Sequence, residues 1–150
     1  MFKVEVSKDV LNLAKLAEGL PRDAAQTGAV ATFSGYVRGE GISAMALEHY
    51  PGMTEQSIHT NIESAARRWP IQAAHVVHRV GELAPGDPIV WVAVAAAHRA
   101  AAFSACEFIM DFLKISAPLW KRERDLEGNW NWVEAKSIDQ DRARRWGLAS

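Results

Sequence analysis

HRAAAFSACEFIMDFLKISAPLWKRE, residues 98–123, is the longest amphipathic stretch of the chain. Its apolar residues recur with a helical period up to Pro118, which ends the helix because proline has no N–H and restricts the residue before it. An extended segment then begins at Leu119. On a wheel of about 100° per residue centred on Phe103, Lys114 lies about 20° from the centre of the apolar stripe. The pattern predicts a long helix, a sharp corner and a strand.

The position of Lys114 inside or at the edge of the packed face needs an explanation. A lysine there snorkels to solvent, pairs with a carboxylate or lines a cavity. Snorkelling is the commoner outcome for a single lysine. Here, however, other cations accumulate on the same segment: His98, Arg99, Lys121 and Arg122. This accumulation favours a site that holds an anion and carries out amine chemistry.

Size and composition narrow the function classes. With 150 residues, 49% hydrophobic and 23% charged, the chain is predicted to form one domain over residues 1–150. A net charge of −1 gives no overall field that would attract nucleic acid or an anionic membrane. Cys106 is the single cysteine, which excludes an internal disulfide. Without a signal-peptide or membrane-span pattern, the expected localisation is cytoplasmic.

The remaining patterns alternate between strand and helix signals, which predicts an α+β domain. Strands are predicted at residues 2–6, 29–37, 44–49, 73–80, 89–97, 119–124 and 130–135. Besides the long helix, helices are predicted at residues 10–18, at 54–69 with Thr54 as N-cap, and at 138–146.

Common catalytic and metal-binding motifs are missing. His75 and His78 are three residues apart on a predicted strand, so they face opposite sides and do not form a metal site. The chain has no HExxH, CxxC, GxxxxGK[ST] or GxSxG sequence. We therefore predict neither a metal ion nor a bound cofactor. Trp130, Trp132 and Trp146 lie in polar surroundings and are candidates for an interface.

Several segments together resemble one known family. They are TFSGYVRG, LEHYPGMTE, VVHRVGELAPGD, AHRAAAFSACEFIMDFLKISAPLWKRE and WVEAK, in that order, between Gly28 and Trp146. The chain is similar in these segments to the large, catalytic subunit of molybdopterin synthase. The resemblance implies a single domain of the α/β-hammerhead type. Such a domain has a mostly antiparallel sheet with packed helices and a small extra β subdomain.

The resemblance also implies a reaction and partners. The family converts cyclic pyranopterin monophosphate into molybdopterin by installing two sulfurs as a dithiolene. The sulfur arrives as a thiocarboxylate on the C-terminal Gly-Gly of a small ubiquitin-like subunit. The large subunit is a homodimer at the core of a heterotetramer, and neither nucleic acid nor membrane takes part.

The family motifs assign candidate site residues. Lys114 and Lys121 fall on the catalytic positions. The substrate-contact positions are Tyr36, Val37, Arg38, His98, Arg99, Lys114, Lys121, Arg122 and Glu123. Arginine suits the substrate phosphate, because its fork of donors matches phosphate oxygens. A lysine acts as acid or base where its pKa is lowered, or stabilises an oxyanion while protonated.

Two other functions compete with this one. The chain could be a non-catalytic module that binds a ubiquitin-like tail, with the two lysines only pairing acids. Alternatively, it could bind RNA through Arg38, Arg99 and Arg122, with tryptophans as stacking platforms. The net charge of −1 counts against RNA binding. The combination of both lysines with Arg38 and the His98-Arg99 pair counts against a purely binding role. Tyr36 departs from the family, since some relatives carry a basic residue there.

Overall fold

A computed structural model describes residues 1–134 and 137–147. In chain order the elements are β1 (Phe2–Ser7), α1 (Leu13–Gly19), β2 (Ala29–Tyr36), β3 (Ile42–His49), α2 (Met53–Arg68), β4 (Ile71–Arg79), β5 (Gly81–Leu83), β6 (Pro88–Ala96), α3 (Arg99–Ile115), β7 (Leu119–Asp125), β8 (Trp130–Val133) and α4 (Ser137–Arg144). None of the helices in these ranges is long and apolar enough to cross a membrane.

The strands form two sheets of four strands each. Sheet A has the order β1-β4-β6-β2, and sheet B has the order β5-β3-β7-β8. Among the described residues, the β1–β4 pair is parallel and the other five strand pairs are antiparallel. This mixed arrangement confirms the predicted α+β class, and sheet B is the small additional β unit.

The core lies on both faces of sheet A. Helices α2 and α3 bury one face, where Ile58, Phe108 and Ile109 are fully enclosed. Helix α1 covers the other face, and Leu11 and Leu20 flank it there. Strands β4 and β6 are consequently buried on both sides, which explains their nearly continuous apolar sequences.

The orientation of α3 differs from the predicted one. Phe103 is 65% exposed, whereas Ala102, Ala105 and Ile109 face the core. Helix α3 carries apolar residues around most of its circumference, so periodicity alone does not locate the buried stripe. The stripe is centred on small residues that bring the helix close to the sheet. Lys114 therefore lies outside the buried stripe, exposed at its edge.

Several predicted boundaries also shift. The helix predicted at residues 10–18 begins only at Leu13, because the Asn12 side chain caps it by accepting from the Lys15 N–H. Thr54 was wrongly predicted as the N-cap of α2. Gly52 holds that position at φ +84°, and its N–H donates to the Glu55 carboxylate. The short strand β5 was not predicted. The last strand was predicted to end at residue 135, which lies outside the described residues.

Thr54 instead links two parts of the chain. Its side chain is completely buried. The hydroxyl accepts from the Tyr50 N–H and donates to the Pro118 carbonyl, both at 2.9 Å. The start of α2 is thereby tied to the corner between α3 and β7.

We expect Thr54→Val to lower the free energy of unfolding by about 1–3 kcal/mol, because the partly buried Tyr50 N–H and Pro118 carbonyl lose their partner. Urea unfolding at fixed protein concentration measures the change. Thr60→Val is the matched control, since Thr60 is exposed on the same helix. Equal losses in the two variants would show that the link to Pro118 contributes nothing.

Candidate active site

A cavity of about 490 Å³ opens where the end of α3 meets sheet B. Its walls come from β2, β3, β4, β6, α3, β7, β8 and α4, and they combine apolar, aromatic and charged side chains. The lining residues are Tyr36, Met45, Leu47, His78, Ile89, Leu113, Lys114, Ile115, Ala117, Leu119, Trp120, Lys121, Trp132, Val133, Glu134 and Asp139. Lys114 and Lys121 therefore border the same space.

The corner at Pro118 brings the two lysines together. The N–H groups of Ser116 and Ala117 both donate to the Phe112 carbonyl, at 2.8 and 3.1 Å, and close the end of α3. The Leu119 N–H then donates to the Ala117 carbonyl at 2.7 Å, so β7 begins immediately. The chain reverses within a few residues, and the helix and the strand each present one amine to the cavity.

The two amines have different surroundings. The Lys121 side chain is 31% exposed, and its Nζ lies 3.9 Å from an oxygen of Glu123. Lys114 is exposed and also borders a second cavity of about 540 Å³, between β2 and α3. Asp139 borders both cavities as well. The two cavities thus meet at Lys114 and Asp139.

Helix α4 supplies Asp139 and is anchored to α3 by polar contacts. The Trp146 indole N–H donates to the buried Asp111 carboxylate. Arg145 contacts both Asp111 and Glu107. These contacts keep α4 beside the junction of the two cavities.

His78 contributes a buried imidazole to the cavity wall. Its Nδ1 lies 2.9 Å from the Arg79 carbonyl oxygen, and because a carbonyl only accepts, Nδ1 carries the proton. The pKa of His78 is lowered from 6.5 to about 4, chiefly by burial and to a lesser extent by the charges of Lys114 and His49, while the hydrogen bond to the Arg79 carbonyl acts in the opposite direction. His78 is therefore neutral at pH 7, with Nε2 as an acceptor.

The family-derived positions at the end of β2 reach the site only in part. Tyr36 lines the cavity. Val37 is 2% exposed and does not line the cavity; its N–H donates to the Asp87 carbonyl and its carbonyl accepts from the Gly86 N–H, so both backbone groups already have partners. Arg38 is exposed just beyond the strand and does not line the cavity.

Strand alternation separates the residues that follow Lys121. Glu123 shares its face, whereas Arg122 points to the opposite face of sheet B. The Arg122 guanidinium lies 4.9 Å from the Trp130 ring centre and 5.8 Å from that of Trp132. It lies beside these rings and does not line the cavity, whereas Trp132 does line it and is 63% exposed.

His98 and Arg99 lie at the far end of α3. Arg99 and Lys114 are fifteen positions apart, which is about 22 Å along a helix that rises 1.5 Å per residue. Both are exposed. Within one copy of the chain, then, this predicted pair does not join the two lysines.

Sequence reasoning missed most of the residues that line the cavity, among them His78 and Asp139. His78 was considered only as a metal ligand, and the alternation that separates it from His75 also places it on the face toward α3. Asp139 lies in a polar helix whose sequence carries no signal for the cavity. Its position there depends on the contacts that anchor α4.

Comparisons with known proteins agree with the fold. Residues 6–116 match the family described as MoaE protein. The molybdopterin synthase catalytic subunit of Escherichia coli is 52% identical over 125 residues, which cover 81% of this chain and 83% of that protein. The Vibrio cholerae subunit of the same name is 45% identical over 148 residues, covering 96% and 97%. The solved molybdopterin biosynthesis MoaE protein of Burkholderia ambifaria has a TM-score of 0.83 and 44% identity, covering 98% of this chain and 99% of that one.

The neutral state of His78 predicts a pH dependence of stability. Below pH 6.5 the unfolded chain protonates this histidine, while the folded chain does so only near pH 4. Stability is therefore lost as the pH falls through this window, by up to about 3 kcal/mol from this group. We expect His78→Gln to lose less stability than the wild type between pH 7 and pH 4.5 in denaturant unfolding. The same change at the exposed His98 serves as the control, and equal slopes in all three proteins would contradict the assignment.

Proposed function

The chain belongs to the MoaE protein family, and from that membership we propose that the cavity between Lys114 and Lys121 is where it transfers sulfur to a pyranopterin. The chain is then the catalytic subunit of a molybdopterin synthase. It converts cyclic pyranopterin monophosphate into molybdopterin, with both sulfurs coming from the C-terminal thiocarboxylate of a small ubiquitin-like subunit. The observation that carries the proposal is the convergence of two amines on one cavity.

The chemistry needs positive charge and proton transfer at the same place. The thiocarboxylate and the substrate phosphate are both anions, and water must later attack the acyl carbon to free the sulfur from the partner's tail. An ammonium beside that carbon stabilises the oxyanion that forms. A second amine moves the proton of the attacking water. Lys114 and Lys121 supply two such groups.

A Gly-Gly tail suits this cavity. Glycine has no side chain, so its backbone approaches the cavity walls closely. Aromatic groups from Tyr36, Trp120 and Trp132 line the space beside the lysines. Trp120 and Trp132 are also 48% and 63% exposed, which gives the body of the small subunit an apolar rim to contact.

A second copy of the chain accounts for the distant His98 and Arg99. A twofold axis across the middle of α3 places the start of one helix near the end of the other. Val30, Phe33 and Phe103 are 42%, 39% and 65% exposed on the β2–α3 side. Among the described residues, the outer edge of β2 has no strand partner. This side is therefore suited to a homodimer interface in which Arg99 of one copy serves the cavities beside Lys114 of the other.

We expect Lys114→Ala and Lys121→Ala each to reduce turnover by about 10²–10⁴-fold, the usual loss for an acid–base group. The assay mixes the protein with the thiocarboxylated small subunit and the pyranopterin, and quantifies dithiolene product. Lys15→Ala is the control, because Lys15 is exposed on α1 across sheet A. Near-normal turnover by both cavity variants, with circular dichroism confirming the fold, would remove the assignment.

The shared site predicts complementation between two defective variants. Lys114→Ala and Arg99→Ala homodimers are each expected to be poorly active. When the two are co-expressed, about one site in four carries both native residues if the copies share sites. Activity should therefore reappear in the mixture.

Light scattering measures the oligomeric state on which this test depends. It should show a homodimer that binds one small subunit per copy, giving a heterotetramer. If the mixture is no more active than its two components, Arg99 either acts on the site of its own copy or takes no part in the site. A chain that remains monomeric would refute the shared site and leave the role of the lysines intact.

A further inference from the structure

His78 is a buried titratable group that the proposed chemistry does not use. It lies near the end of β4, on the face of sheet A that packs against α3. It is 7% exposed and contributes to the wall of the cavity that holds both lysines. Burying an imidazole has an energetic cost, so its presence in this wall requires an explanation.

The ring of His78 is fixed in both orientation and tautomer. Because Nδ1–H donates to the Arg79 carbonyl, Nε2 carries the lone pair. Strand β4 lies between β1 and β6 and is buried along most of its length, so it is a rigid support. His78 therefore offers a fixed hydrogen-bond acceptor at the cavity.

Lys114 is the cation that α3 contributes to the same cavity wall. The charge of Lys114 acts on His78, as does that of His49 at the end of β3. The other charged or titratable groups that line the cavity are Tyr36, Lys121, Glu134 and Asp139. A fixed acceptor in the wall of the cavity restricts where the Lys114 amine lies relative to the cavity.

We propose that His78 is a positioning residue for Lys114, with Nε2 accepting a hydrogen bond from the Lys114 ammonium and holding it at the cavity. The inference rests on the proposed function, in which Lys114 takes part in sulfur transfer. Only a neutral imidazole accepts such a bond, because a protonated ring has two donors and repels the amine. The burial of His78 keeps it in the required state.

His75 provides a matched control on the same strand. It lies three residues earlier, on the opposite face of sheet A. Its Nε2 contacts the Glu5 carboxylate at 2.7 Å, and its ring lies edge-on to Trp91. It shares the burial and the strand of His78 and does not line the cavity.

A double-mutant cycle tests the proposal in the complete synthase. We expect His78→Leu to lower kcat by about 10–100-fold with little change in KM, as for a misplaced catalytic group. His78→Gln retains an acceptor and should recover part of this loss, while His75→Gln should leave kcat unchanged. Adding His78→Leu to Lys114→Ala should cost nothing further if His78 acts only through Lys114. Losses that multiply, or full turnover by a folded His78→Leu variant, would overturn the proposal.

A measurement on the folded protein separates this proposal from the proposed function. The ¹⁵N resonance of His78 Nε2 should move when Lys114→Ala removes the donor, and the pKa of His78 should rise toward its ordinary value. If the resonance stays in place in folded Lys114→Ala, the proposed hydrogen bond is refuted. This outcome does not depend on the activity of any variant. Full turnover by Lys114→Ala would instead refute the role of Lys114, whatever the resonance shows.

Discussion

The hydrogen bond from the buried Thr54 hydroxyl to the Pro118 carbonyl holds the corner on which the site depends. Proline cannot continue α3, so the chain must turn there, but proline alone does not fix the direction in which β7 leaves. The Thr54 hydroxyl connects that corner to the start of α2, which packs with α3 on sheet A. The direction of β7 relative to α3, and with it the separation of Lys114 from Lys121, is thereby linked to the main core.

The corner at Pro118 brings positive charges together in a chain whose net charge is close to zero. At a net charge of −1 the protein has no general attraction for anions, so capture of a thiocarboxylate or a phosphate depends on local geometry. A helix end and a strand start deliver one amine each, and alternation along β7 keeps Glu123 beside Lys121 while it turns Arg122 away. Arg122 instead covers Trp130 on the other face of sheet B, so adjacent cations in the sequence serve different surfaces.

Local sequence signals predicted most of the helices and strands, and they predicted that Lys114 and Lys121 lie near each other. Pro118, the alternating strands and the helical period located the α3–β7 corner to within a residue or two. These signals did not predict which face of α3 is buried, because a helix that is apolar around most of its circumference is oriented by the elements it packs against. Phe103 is accordingly exposed. Thr54 illustrates the same limit, since its cap-like sequence context gave no sign of a partner at Pro118, far along the chain. Asp139 reaches the cavity on a helix that Arg142, Arg145 and Trp146 connect to α3.

The length of α3 separates two requirements of the proposed reaction. A rigid helix of 17 residues holds the His98-Arg99 pair and Lys114 at fixed opposite ends, and no side-chain rotation spans that distance. If both ends act on one substrate, they must belong to different copies, and the homodimer then becomes part of the active site. The exposed Phe33 and Phe103 lie beside the second cavity, so one surface would bury apolar area and complete the site together. Dissociation would leave each lysine pair without the cations supplied by the other copy. The activity per copy would then fall when the protein is diluted enough for the dimer to dissociate.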